Sequence, residues 1–334
     1  MLYQLSYTPA GAGASTGWRA RWQGNLCDGR ASCCPRGTCG DFAEPKPGAD
    51  CGFTRRLAVC YIRAVHAPVP PAIAPELLLL AYRSGIFPMS DHRDDPEIFW
   101  VEPRRRAILP LDGFHLSRSL TKVLRRDRFT VTCNRDFAAV MEACAAPRRS
   151  DGGESWISHR IAASYQQLHA LGGAHSIECW QDDADGRPAL VGGLYGVGFD
   201  RVFCGESMFS RVPDASKIAL AWLVAALGRA GVELLDCQFI TPHLASMGAI
   251  EITQRRYVAM LGGAQRRAQS GVASVAGAGA AGAGEAAGVD AGADEAAADG
   301  VLALPDAFAA LLDDAAGSAS SPGNFIAQLL THTS

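Results

Sequence analysis

Two short apolar stretches of the chain each hold a carboxylate near their centre. Glu206 lies in residues 202–211, and Asp236 lies in residues 234–238 together with Gln238. The flanking Leu, Val and Phe residues predict burial, and a buried carboxylate is unfavourable unless it is paired or hydrogen-bonded. A pocket lined by carboxylates can bind an ammonium group or help to remove a proton from it. The alternative is a buried polar network that only fixes the register of a sheet.

The segment between these stretches has the pattern of a helix. Its apolar residues recur at helical spacing, namely Ile218, Ala219, Trp222, Leu223, Ala226 and Leu227. Asp214 is the expected N-cap, and Gly228 or Gly231 is expected to end the helix. A strand, a helix and a strand of these lengths predict a βαβ crossover, which places the two strands side by side and parallel.

The crossover predicts that the polar residues converge. Asp236 and Gln238 are two positions apart on a strand, so their side chains point to the same face. We therefore expect Glu206, Asp236 and Gln238 to meet in one cleft.

A cysteine nucleophile and bound cofactors are the competing chemistries. Cys204 and Cys237 adjoin the acids and His243 is close in sequence, but a Cys on an apolar strand is more often inert core. The eight His residues show no H-x-x-x-H or H-E-x-x-H pattern, so no metal site is predicted. A formal G-x-G-x-x-G match at residues 277–282 has no strand before it and arises from Ala/Gly composition, so no dinucleotide or other cofactor is predicted.

The formal net charge of −3 hides an uneven distribution. Residues 268–334 contain eight acidic residues and no Lys or Arg, whereas residues 101–135 contain nine basic residues and three acidic ones. A locally basic folded part favours a polyanionic partner. A solvated charged face is the alternative.

The chain shows no membrane or secretion signal. No apolar run reaches the roughly 18 residues of a membrane span, and the first residues lack a basic segment followed by an apolar one. We therefore predict no membrane partner, a cytoplasmic location and Cys residues that are free thiols.

Composition divides the 334 residues into five segments. Residues 1–66 hold six of the eleven Cys without a C-x-x-C pair and are predicted to be a disordered extension. Residues 67–149 form a small basic α+β unit, and residues 150–262 an α+β unit with a mixed sheet whose last helix is capped by Thr253 and ends near Leu261. Residues 263–300 are predicted to be an Ala/Gly-rich linker. Residues 301–334 regain an apolar pattern and are predicted to dock back.

Several ordered motifs resemble one protein family. They are residues 81–88 (AYRSGIFP), 117–120 (SRSL), 155–157 (SWI), 175–178 (HSIE), 192–197 (GGLYGV), 203–211 (FCGESMFSR) and 236–238 (DCQ). Together they are similar to the leucyl/phenylalanyl-tRNA–protein transferases, the bacterial enzymes of the N-degron pathway.

The resemblance implies a fold and an activity. The fold is a basic N-terminal domain on a catalytic domain of the GNAT acetyltransferase-like class. The activity is transfer of Leu, Phe or less often Met from aminoacyl-tRNA to the α-amino group of proteins that begin with Arg or Lys, which marks them for degradation. The enzyme is expected to act as a monomer without cofactor or metal.

The resemblance also assigns residues. Glu206 holds the cationic acceptor, and Asp236 polarises Gln238, which helps to deprotonate the amine. The pocket for the donor side chain consists of Trp156, Tyr165, Leu194, Phe203, Met208, Leu223 and Leu227, with Met89 at its rim where many relatives have Trp. A basic stripe that binds tRNA phosphates consists of Arg104, Arg105, Arg106, Lys122, Arg125, Arg126 and Arg128.

Two other functions compete with this one. An acyl-CoA-dependent N-acyltransferase of the same fold needs a pyrophosphate-binding loop before its main helix, and residues 210–215 do not contain one. A non-catalytic tRNA-binding protein needs no acids in the cleft.

Overall fold

The computed structural model describes residues 71–147, 155–278 and 302–332, with no side-chain detail for residues 270–278. The extension predicted for residues 1–66 lies outside the described residues. No helix in the described part of the chain is long and apolar enough to cross a membrane.

Helices make up much of the described chain. They are α1 (Pro75–Arg83), α2 (Arg118–Arg125), α3 (Phe137–Ala145), α4 (His159–Ala170), α5 (Ala215–Arg229), α6 (Pro242–Ala245), α7 (Gln254–Ala278), α8 (Leu304–Gly317) and α9 (Pro322–His332). Side-chain oxygens of Ser117, Asp136, Ser158 and Thr241 accept hydrogen bonds from the first turns of α2, α3, α4 and α6. These N-caps use backbone N–H groups that a helix itself cannot pair.

Among the described residues, the strands form two sheets. The strands are β1 (Phe87–Met89), β2 (Phe99–Val101), β3 (Arg105–Ile108), β4 (Thr130–Cys133), β5 (Ala174–Asp182), β6 (Pro188–Phe199), β7 (Val202–Ser210), β8 (Leu234–Gln238) and β9 (Ile250–Thr253). β1 and β2 pair alone, and the seven-stranded sheet has the order β4-β5-β6-β7-β8-β3-β9. β7 and β8 are parallel, while the other pairs are antiparallel. The predicted α+β class with a mixed sheet is confirmed.

The predicted βαβ crossover is present as β7, α5 and β8. Asp214 does precede α5, but its side chain makes no cap hydrogen bond; its φ is 68° and its carboxylate lies 3.2 Å from the Lys217 ammonium. Twelve of the 15 residues of α5 are buried. A helix that is apolar all round needs cover on every side. The sheet covers one side of α5, and α8 and α9, from the segment predicted to dock back, pack against it as well.

Of two predicted boundaries, the later one differs from the structure. β3 and β4, from residues 67–149, lie in one sheet with the strands of residues 150–262, so a domain boundary at residue 149 stays a prediction. The linker predicted to start at residue 263 was placed too early, because α7 continues to Ala278. Ala favours helix by about 1 kcal/mol over Gly, Ala264 is buried, and Gln265 donates to the Arg83 carbonyl at 3.0 Å. Residues 279–300 lie outside the described residues.

The cover over α5 can be tested at Phe308 of α8, whose ring centroid lies 5.4 Å from that of Trp222. We expect Phe308→Ala to lower the free energy of unfolding by about 3–5 kcal/mol, because it removes a buried aromatic ring. Urea unfolding at equilibrium measures the change. Leu312→Ala, on the same helix but 39% exposed, should change it by less than about 0.5 kcal/mol. Equal effects of the two variants would contradict this packing.

Candidate active site

A buried ion pair joins β3 to β8. Arg106 and Asp236 are 1% and 0% exposed, and Arg106 Nε lies 2.9 Å from Asp236 Oδ1. The guanidinium is held between the rings of Phe87 and Tyr257, at 4.8 and 4.5 Å from their centroids. The Tyr257 hydroxyl donates to Asp236 Oδ2 at 3.1 Å. The Asp236 carboxylate is therefore both neutralised and hydrogen-bonded, as a buried charge requires.

Arg106 was wrongly grouped with the residues that contact tRNA phosphates. Its guanidinium is buried and its donors are used by Asp236, Tyr257 and the Gly85 carbonyl. In the sequence, three consecutive Arg residues indicate one basic patch. In a strand, however, successive residues point to opposite faces. Arg105 therefore points to solvent, and Arg106 points into the core.

Glu206 is an extra residue in its strand. Opposite β7, Tyr195 pairs with Ser207 and Gly196 pairs with Gly205, so Glu206 has no partner in the register. A side chain at Gly196 would clash, since a Cβ there would lie 2.3 Å from the Cys204 carbonyl oxygen. A β-bulge of this kind redirects a side chain. It points Glu206 toward α1 and α4.

Three side chains surround the Glu206 carboxyl, which is 1% exposed. Gln238 Nε2 donates to Oε1 at 2.8 Å, and the Tyr165 hydroxyl donates to Oε2 at 3.1 Å. The Tyr82 hydroxyl is hydrogen-bonded to the Tyr165 hydroxyl. Burial raises the pKa of Glu206 to about 7, although hydrogen bonds from Tyr82, Gln238 and Tyr165 oppose the rise. Ionised and neutral forms of this carboxyl thus coexist near neutral pH.

Gln238 connects the two carboxylates. Its backbone N–H donates to Asp236 Oδ1 at 2.8 Å, and its side-chain amide donates to Glu206. Its φ of 60° is left-handed, a conformation that disfavours a residue with a Cβ by about 1–2 kcal/mol and is often found at functional sites. Within the described chain, no hydrogen bond reaches Gln238 Oε1. This oxygen can accept a hydrogen bond from an amine.

The three polar residues predicted to converge are thus in contact. Asp236, however, meets Gln238 through the backbone N–H rather than through the side-chain amide. Among the described residues, no hydrogen bond joins the Asp236 carboxylate to the Gln238 side-chain amide, so the expected polarisation of that amide by Asp236 stays a prediction.

The residues predicted to line a donor pocket belong to two core clusters. Those packed with α5 are Leu194, Phe203, Met208, Leu223 and Leu227. Trp156 and Tyr165 belong to the other cluster, against which Met89 packs. β8 pairs with residues 202–204 of β7, so Glu206 lies on the C-terminal side of the residues that pair with β8. A single pocket formed by all eight residues stays a prediction.

The cysteines beside the acids do not have the properties of nucleophiles. Burial raises the pKa values of the Cys204 and Cys237 thiols, with a further contribution from the charge of Asp236. A buried protonated thiol reacts poorly. Among the described residues, no group of three or more His, Cys, Asp or Glu is placed to hold a metal ion.

The other basic residues predicted to contact tRNA are exposed. Lys122, Arg125, Arg126 and Arg128 lie on α2 and the turn after it. Arg104 and Arg105 lie at the start of β3, where Arg105 pairs with Glu251 at 2.7 Å.

Sequence reasoning missed three residues of this site: Tyr82, Arg106 in its buried role, and Tyr257. They come from α1, β3 and α7, far from Glu206 in the chain. A Tyr on the apolar side of a helix has the pattern of ordinary core, so no local signal separates these residues from packing residues.

Comparisons with known proteins identify the relatives of this chain. The family model for leucyl/phenylalanyl-tRNA protein transferase matches residues 108–262, and that for its N-terminal domain matches residues 72–104. The leucyl/phenylalanyl-tRNA–protein transferase of Novosphingobium aromaticivorans is 63% identical over 265 residues, 79% of this chain and 98% of that protein. The transferase of Zymomonas mobilis is 61% identical over 189 residues, 57% of this chain and 68% of that one.

The fold and the buried carboxylate–amide centre define an α+β protein with a polar site in its main sheet. The chain belongs to the leucyl/phenylalanyl-tRNA–protein transferase family, whose members are transferases. A solved structure, that of L-PGS from Bacillus licheniformis, is 15% identical with a TM-score of 0.27, over 53% of this chain and 56% of that one. This likeness is too weak to bear on the fold.

The buried ion pair gives a stability prediction with its control in the adjacent residue. Arg106→Ala leaves Asp236 buried without its cation, so we expect the free energy of unfolding to fall by about 3–5 kcal/mol. Arg105→Ala removes an exposed pair and should cost at most about 1 kcal/mol. Urea unfolding of both variants measures the difference. A small loss for Arg106→Ala would mean that the pair does not anchor the site.

Proposed function

We propose that this protein transfers Leu, Phe and less often Met from aminoacyl-tRNA to the α-amino group of proteins that begin with Arg or Lys. Membership of the transferase family supports the reaction class. The observation that carries the proposal is the contact of Glu206 with Gln238 inside the sheet, beside the neutralised Asp236. This site offers a carboxylate and an amide oxygen to an incoming amine.

The chemistry needs little more than positioning. An aminoacyl ester is already activated: the amine nitrogen attacks its carbonyl carbon, a peptide bond forms, and the bond to the tRNA ribose oxygen breaks. The amine loses a proton, and the ribose oxygen gains one. Holding the amine and the ester in attack geometry therefore supplies most of the rate enhancement.

The residues divide this work. Gln238 Oε1 accepts a hydrogen bond from the amine and orients it, since a neutral amide is a poor base. Ionised Glu206 stabilises the cationic acceptor electrostatically. Asp236, held by Arg106, keeps Gln238 in its strained conformation through the backbone N–H.

The substrates are held by other parts of the fold. An apolar pocket among the predicted donor-binding residues would reject β-branched side chains by shape, by about 1–3 kcal/mol per misplaced methyl group. The exposed basic residues of α2 would bind tRNA phosphates without reading sequence.

The wider role and the fold class are part of the same proposal. We assign the mixed sheet, in which β8 pairs in parallel with residues 202–204 of β7, to the GNAT-like class. We also propose that the marked protein is degraded in the cytoplasm, where aminoacyl-tRNA is made.

Transfer of labelled Leu from Leu-tRNA to a peptide that begins with Arg tests the activity. We expect transfer to the free peptide and none to its acetylated form. Glu206→Gln should lower the rate by about 10²-fold or more, because it removes the charge at nearly constant shape. Glu142→Gln, which changes an exposed carboxylate, should not.

Binding of tRNA by the same variants separates catalysis from mere binding. Glu206→Gln should bind Leu-tRNA as the unaltered chain does. Folded protein that binds tRNA but transfers nothing would favour a non-catalytic tRNA-binding protein and refute the proposal.

The basic face of α2 makes a separate prediction. Arg125→Ala and Arg126→Ala should each weaken tRNA binding and reduce the slope of log affinity against log salt by about 0.7–0.9, the value for one phosphate contact. Fluorescence titrations over a range of salt concentrations measure the slope. Arg187→Ala removes an exposed charge in the turn between β5 and β6 and should leave the slope unchanged. Unchanged slopes for the α2 variants would place tRNA elsewhere.

A further inference from the structure

Two tyrosines from different helices enclose the carboxyl of Glu206. Tyr82 of α1 and Tyr165 of α4 are 1% and 0% exposed, and their hydroxyls are hydrogen-bonded to each other. Tyr165 donates to Glu206 Oε2 at 3.1 Å. Because an ionised carboxylate only accepts hydrogen bonds, Tyr165 must be the donor, and its oxygen is left to accept from Tyr82.

We propose that Tyr82 and Tyr165 are positioning residues of the reaction proposed above: they hold the Glu206 carboxylate beside Gln238 and stabilise its ionised form. The inference deepens that function and rests on it.

The physical reason is a balance between burial and donors. Complete burial favours the neutral carboxyl, which binds an ammonium poorly, whereas hydrogen bonds donated to the charged form favour ionisation. Burial, with the nearby charge of Glu206, raises the pKa values of Tyr82 and Tyr165 well above 10. Both phenols therefore stay protonated and act as donors throughout the working range of pH.

The other groups around Glu206 do not compete for this role. They are Tyr195 on β6, Cys204 on β7 and Asp236 on β8; Asp236 is in turn paired with Arg106 on β3 and accepts a hydrogen bond from Tyr257 on α7. The thiol and the phenols have raised pKa values and stay neutral, while the charge of Asp236 is offset by Arg106. Near neutral pH, the hydroxyls of Tyr82 and Tyr165 and the amide of Gln238 are the donors that favour the Glu206 anion.

Tyr195 provides a matched control. It is fully buried, and its ring centroid lies 5.5 Å from that of Tyr165. Its hydroxyl has no hydrogen-bond partner within the part of the chain that the structure describes. Tyr195→Phe thus removes a hydroxyl from the same aromatic cluster without removing a donor to Glu206.

The test is the pH dependence of transfer to one acceptor peptide by the full chain. Loss of the hydrogen bond to the charged carboxylate should move the acidic limb of the profile upward by about one pH unit in Tyr165→Phe. Tyr82→Phe removes the hydroxyl that donates to Tyr165 and should move the limb in the same direction. The rate should then fall roughly tenfold at about pH 6 and recover to that of the unaltered chain at about pH 9. The acceptor amine also titrates, but identically in every variant. Tyr195→Phe should leave the limb in place.

Two outcomes would overturn the inference. One is a limb that does not move in the Tyr165 and Tyr82 variants. The other is a loss of equal size at every pH, which is what a purely structural role predicts.

An isotope-edited infrared titration of the glutamate carboxyls reads the same property without activity. The Glu206 band, assigned by its loss in Glu206→Gln, should titrate near pH 7 in the unaltered chain and higher in Tyr165→Phe. A shifted midpoint in a protein that transfers nothing would defeat the proposed function but not the role of the tyrosines. An unshifted midpoint in an active enzyme would defeat the tyrosine role alone.

Discussion

The site depends on the buried ion pair between Arg106 and Asp236. A lone charge in this core would be strongly destabilising. Arg106 and Asp236 together carry no net charge, and their polar side-chain groups are hydrogen-bonded. The neutralised carboxylate then accepts the backbone N–H of Gln238 and fixes its left-handed conformation. That conformation turns the amide toward Glu206. A second carboxyl can therefore be buried nearby with part of its charge retained.

The local parts of this arrangement were predictable from the sequence. Apolar spacing between Asp214 and Arg229 predicted α5, and the two short apolar stretches predicted β7 and β8 in parallel contact. Chain topology was enough to bring Glu206, Asp236 and Gln238 together. The acids stood out because carboxylates are rare in apolar strands, whereas the tyrosines around them have the same pattern as core residues.

The remaining parts depend on contacts that span the chain. Arg106 and Asp236 are 130 positions apart, and nothing in three consecutive arginines tells which one is buried. The bulge at Glu206 is a mismatch of register between β6 and β7, which neither strand reveals alone. α7 extends beyond its predicted end because Ala264 and Gln265 contact the rest of the fold. The Ala/Gly composition by itself had favoured a linker.

The cover over α5 has a consequence for synthesis of the protein. α5 ends at Arg229, whereas α8 begins at Leu304. A ribosome adding about 5–20 residues per second needs several seconds to make the intervening chain. During that interval, the apolar side of α5 that later contacts Phe308 has no partner from α8 or α9. The nascent chain therefore exposes the apolar face of α5 to chaperones and to neighbouring chains until α8 and α9 have been synthesised.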